Sequence, residues 1–89
     1  MIELKNDYVL KDMIICALRY SLGRRTYVTE ETATFIKENP KLIDERVKSV
    51  MLRDLNEYFD KRTNSYHFDD ECDYKVWLSL KKWLEEMNV

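Results

Sequence analysis

Residues 7–23 read Asp7-Tyr8-Val9-Leu10-Lys11-Asp12-Met13-Ile14-Ile15-Cys16-Ala17-Leu18-Arg19-Tyr20-Ser21-Leu22-Gly23, and their spacing decides the fold class. Leu10, Met13, Ile14, Ala17 and Leu18 recur at three- and four-residue intervals, the period that aligns side chains along one side of an α-helix. Val9, Ile15 and Leu22 widen that apolar side, which predicts the central helix of a bundle. Asn6 or Asp7 supplies its cap, and Gly23 stands where a left-handed residue closes a helix. Cys16, inside this stretch, reads as a small buried hydrophobe.

Working outward, Thr29 is an N-cap for a short second helix, with Glu30 and Glu31 near its positive end and Ala33 and Ile36 facing inward. Asn39-Pro40 ends it, because the residue before proline avoids the helical region. A third helix is expected from about residue 44 to 59, with Val47, Val50, Met51, Leu55, Tyr58 and Phe59 as its inward stripe. Asp44–Lys48 and Glu57–Lys61 are acid-first i,i+4 pairs of the favourable order. Residues 61–69 read as a loop or small hairpin around Tyr66 and Phe68. Asp70 and Asp73 resemble a capping box for a fourth helix that buries Trp77, Leu80, Leu84 and Met87 and turns Lys81, Lys82, Glu85 and Glu86 to solvent. Ile2 to Leu4, in the lead-in, could extend as a short strand. The expected fold is all-α, a compact bundle of about four helices in one domain over residues 1–89.

Composition supports this. The chain has 89 residues, 45% of them hydrophobic, including three Phe, two Trp and six Tyr, so it can fill one core and is not a disordered type. One Gly and one Pro are too few for the many turns of a β-sandwich or barrel. The formal net charge of −2 lacks the positive excess of a stand-alone nucleic-acid binder. The longest apolar run, Met13 to Leu18, is far short of the ~20 residues that span a bilayer, and Glu3, Lys5 and Asp7 ahead of it do not make a secretory signal. Two cysteines are no disulfide framework, so a cytoplasmic location is expected. Around Cys72, the acids Asp69, Asp70, Glu71 and Asp73 oppose thiolate formation.

The stretch of greatest functional interest is Arg19-Tyr20-Ser21-Leu22-Gly23-Arg24-Arg25-Thr26-Tyr27. Between residues 11 and 28 the four basic residues Lys11, Arg19, Arg24 and Arg25 face the single acid Asp12, a local excess of three positive charges. Arginine reads phosphate and carboxylate through its planar fork, and tyrosine adds stacking area. Arg19, Tyr20, Arg24, Arg25 and Tyr27 are therefore the candidate partner- or ligand-binding residues. The plainer reading is that these cations stabilise a helix C-terminus or pair with acids elsewhere. Asp54 falls on or beside the third helix's buried stripe and needs a counterion, for which Arg19 is the expected partner.

His67, Asp69, Asp70 and Cys72 lie close in sequence but lack the ligand spacing of a closed metal site, and a capping turn is the default reading. With one histidine, no nucleophile beside it and no glycine-rich phosphate loop, the chain reads as a non-enzyme without cofactor. Trp77 and Trp83 cannot share one narrow helix face, which makes Trp83 a candidate interface residue alongside the simpler expectation that both are buried.

The segment Ile15 to Tyr27, with Met51-Leu52-Arg53-Asp54-Leu55 and Asp70-Glu71-Cys72-Asp73, resembles small proteins encoded by bacteriophages and prophages of Gram-positive bacteria. The resemblance spans most of the chain. It implies a phage or mobile-element protein acting inside the host cell and supplies no catalytic residues. By analogy with other phage proteins of this size, the expected activity is occupation of a host protein, inhibitors of host defence included. A DNA-binding helix-turn-helix reading over Thr29 to Leu55 is the alternative, with Arg46, Lys48, Ser49 and Arg53 facing DNA. Against it stand Asp44 and Glu45 at the end such helices push into the groove. A third reading is a sequesterer of an anionic nucleotide between Arg19, Arg25, Tyr20 and Tyr27. Homodimerisation is expected of a small aromatic-rich domain.

Overall fold

A computed structural model of the chain describes residues 7–23, 28–63 and 71–89, with side chains over 8–23, 28–60 and 74–89. Four α-helices run in the order α1 (Asp7–Leu22), α2 (Thr29–Lys37), α3 (Glu45–Thr63) and α4 (Glu71–Glu85), with a 3-10 turn at Pro40–Leu42. The fold is an all-α bundle with a short second helix. The expected hairpin from residue 61 gives way to helix at its start, because α3 continues to Thr63; the remainder of that segment lies outside the described residues. So does the N-terminal strand.

The helices form a closed ring, α1 on α2, α2 on α4, α4 on α3 and α3 on α1. Helix α1 also packs on the 3-10 turn. Lys11, Asp12 and Arg19 meet Asp44, Arg46 and Asp54 in the same order, so α1 and α3 run parallel. Lys48 reaches Met87 while Phe59 touches Tyr74, so α3 and α4 run antiparallel. The ring encloses Ile14, Ile15, Leu18, Ala33, Ile36, Ile43, Val47, Met51, Leu55, Trp77, Leu80 and Leu84. Val50, Tyr58, Phe59, Trp83 and Met87 pack half-buried around them. Tyr58 meets Phe59 and Trp77 edge-on, with centroids 5.4 and 6.5 Å apart, the geometry in which ring edges face ring faces.

Several local expectations change. The apolar side chains of α1 cover more than the face the core can take. The core keeps Ile14, Ile15 and Leu18, while Val9, Met13 and Cys16 are turned out to solvent. Gly23 is not left-handed: its N–H donates to Arg19 O at 3.2 Å, the next rung of the same helix. Thr29 is not the cap of α2 but its first residue, with Val28 at the cap position. It is buried, and its hydroxyl finds no hydrogen-bond partner among the described residues.

Asp44 is the cap of α3 rather than its first residue: Oδ1 accepts from Val47 N at 2.8 Å. The expected Asp44–Lys48 pair does not form. Asp44 Oδ2 accepts from Lys11 Nζ at 2.9 Å instead, and Lys48 Nζ donates to the Met87 carbonyl at 2.9 Å. Lys81, expected in solvent, is half-buried with its ammonium 5.6 Å from the Phe59 ring centroid. The side chains of Lys61, Asp70 and Asp73 lie outside the described residues, and with them the second charge pair and the capping box.

Candidate functional site

The cationic segment begins on the last turn of α1. Arg19 points toward α3, where Nε donates to Asp54 Oδ2 at 2.8 Å, the counterion expected for it. Asp54 has only 10% of its side-chain surface exposed, whereas Arg19 keeps 50%. The carboxylate, first through this hydrogen bond and then through its charge, holds the Arg19 pKa above its ordinary value. Among the described residues this is the guanidinium's only hydrogen bond, so Nη1 and Nη2 still have donors to offer. One helical step on, Tyr20 is 56% exposed. Arg24, Arg25 and Tyr27 lie outside the described residues.

Ser21, on the same turn, faces α2, where its hydroxyl and that of Thr32 share a hydrogen bond. This bond and the Arg19–Asp54 pair fix the end of α1 on both flanks. Tyr20 and Arg19 are thus presented from a turn bonded on both sides. Trp83 is half-buried against the core on α4 and is not brought near them in sequence or through a described contact.

The side chains proposed to face DNA are distributed differently. Arg46 Nη2 donates to Asp12 Oδ1 at 3.2 Å, and Lys48 is held by Met87 O. Ser49 and Arg53 are exposed. Helix α2 packs on α1 and α4 rather than on α3, while a helix-turn-helix packs its two helices together.

On the outer side of α2, Glu30, Glu31, Thr34, Phe35 and Glu38 line a shallow concavity. Its three carboxylates suit a cation, the wrong sign for a nucleotide. Among the described residues no group of three His, Cys, Asp or Glu side chains is placed to hold a metal ion. Nor, among them, is any helix long and apolar enough to cross a membrane.

Sequence reasoning missed one feature. Val9, Met13, Cys16 and Tyr20 form an exposed row along the outside of α1. The signal was present in the excess width of the apolar face, which was assigned wholly to the core. In comparisons with known proteins, no family model, no curated protein and no solved structure matches this chain.

Proposed function

We propose that the chain is a binding protein of phage or mobile-element type that engages a host protein, with the cationic, tyrosine-bearing end of α1 as its recognition patch. The observation that carries this reading is the presentation of Arg19 and Tyr20. Both are half-exposed on a turn braced by two side-chain bonds, and the chain leads from them directly into Arg24, Arg25 and Tyr27. An acidic protein surface suits such a patch, because a guanidinium with spare donors binds carboxylates through two parallel bonds. Inhibition of a host defence protein is one form this occupation takes.

An Arg24→Glu, Arg25→Glu double variant is expected to keep the circular dichroism spectrum and melting temperature of the parent while losing capture of its partner from host lysate. Undiminished capture rejects the patch. The DNA reading draws support from the short-helix, turn, longer-helix order, and less from the geometry, since α2 packs mainly on α1 and α4. The nucleotide reading rests on Arg19 and Tyr20 with Arg25 and Tyr27, and a thermal-shift screen with nucleotides decides it.

A further inference from the structure

The core takes only part of the apolar surface of α1. Val9, Met13, Cys16 and Tyr20 are all exposed, Met13 at 59%. Their spacing of four, three and four residues is the alternation of a heptad seam. It confines them to a strip about 60° wide on the helix, opposite the buried Leu18, and no charged side chain falls inside it. The edges of the strip differ. On the side of α3 lie Asp12 and Arg19, bonded to Arg46 and Asp54. On the side that carries Ser21 lie the half-buried Leu10 and Ala17.

We infer that a second copy of this chain covers the strip, its α1 running antiparallel to the first. A two-fold axis across the middle of the seam sets Met13 against Cys16 of the second copy and Val9 against its Tyr20, each contact made twice. The same register sets Asp12 opposite Arg19 of the second copy on one edge and Leu10 opposite Ala17 on the other. Charge complementarity selects this arrangement. Arg46, Asp12, then Arg19 and Asp54 of the second copy alternate in sign, and the two-fold axis repeats this row on the same charged edge. The Nη donors of Arg19 that Asp54 does not use are available to reach the second copy's Asp12. A parallel pairing puts Asp12 beside Ala17 and forfeits both charge contacts.

The strip from Val9 to Tyr20 is about 16 Å long, so the contact falls at or below the low end of specific interfaces, about 1,200 Å² in total. A contact of this size belongs with weak, reversible associations. The inference does not rest on the host-protein reading, with which it shares Arg19 and Tyr20.

Sedimentation equilibrium between ~10 and ~500 µM tests it on the full chain. The parent is expected to pass from monomer to dimer across this range. Met13→Lys, at an exposed position, is expected to weaken association tenfold or more, on the order of a central interface residue, with an unchanged circular dichroism spectrum. Asp12→Arg is expected to weaken it several-fold, because its new cation faces Arg19 of the second copy. Arg19→Glu weakens it likewise, and an equimolar mixture of Asp12→Arg with Arg19→Glu is expected to recover dimer, since the hetero-pair matches both charge contacts. If Arg19→Glu does not fold, the Met13→Lys and Asp12→Arg results still decide. A parent that stays monomeric at ~500 µM overturns the inference, as does a dimer indifferent to Met13→Lys. Asp12→Arg without effect overturns the antiparallel register. A monomeric parent whose Met13→Lys variant loses a host partner assigns the strip to a different protein. Arg24→Glu, Arg25→Glu is expected to leave the dimer intact, which separates this result from the host-partner test.

Discussion

Arg19 and Asp54 share a hydrogen bond but stand in different surroundings, and the difference predicts unequal consequences when either is removed. Asp54 is nearly covered, so without Arg19 its charge keeps little solvation in return. Arg19 is half in water, so without Asp54 it is simply hydrated. Arg19→Met is therefore expected to destabilise the fold by about 1–3 kcal/mol, and Asp54→Asn, which retains an acceptor oxygen, by less than about 1 kcal/mol. Urea unfolding with unchanged slope checks the order, and the reverse order contradicts the burial argument. Thr29 carries the opposite lesson. Its buried hydroxyl has no partner among the described residues, so Thr29→Val removes a desolvated polar group and keeps the shape. A gain of about 0.5–1 kcal/mol is expected, visible as a rise of a few degrees in melting temperature. A fall would mean that the hydroxyl is bonded.

At the level of the element, α3 shows how a cap and a tertiary contact use one residue. Asp44 accepts the Val47 N–H and the Lys11 ammonium together, and these hold its carboxyl below the ordinary carboxylate range, the backbone bond contributing most. A carboxyl whose folded pKa is depressed adds stability above its unfolded value, near 4, and loses that stability as the pH falls through the folded value. Asp44→Asn can still cap α3 but cannot titrate. Its melting temperature is expected to fall slightly at pH 7 and to depend less on pH below about 4 than that of the parent, measured by thermal scans from pH 7 to 2. An unchanged acid limb would remove Asp44 as a source of acid sensitivity. The same carboxylate explains why the sequence misplaces the Lys48 contact. Spacing on one helix names the nearest cation, whereas α1, arriving in parallel, brings Lys11 closer.

For the whole molecule, much of the fold was legible because helical period and core membership are the same signal. Ala33, Ile36, Val47, Met51, Leu55, Trp77, Leu80 and Leu84 were all assigned inward from spacing and are all buried. The Arg19–Asp54 pair was legible too, since a carboxylate on a buried stripe demands a counterion. What the sequence hid was which part of an over-wide apolar face the core would take. Spacing fixes angles around one helix and says nothing of the two neighbours between which α1 is wedged, so Val9, Met13 and Cys16 went to the wrong side. Of the candidate site, the exposure of Tyr20 and the half-exposed state of Arg19 became visible once α1 had been placed against α2 and α3.

The ring order also bears on how the chain acquires its shape during synthesis. Helix α2 closes against α4, which emerges from the ribosome after every other element, so the inner side of α2 stays wet until Trp77, Leu80 and Leu84 arrive. Without α4 the ring of helices lacks one wall. Apolar side chains left uncovered at that stage are what chaperones bind, and the fourth helix completes the core that encloses Ile36 and Leu55.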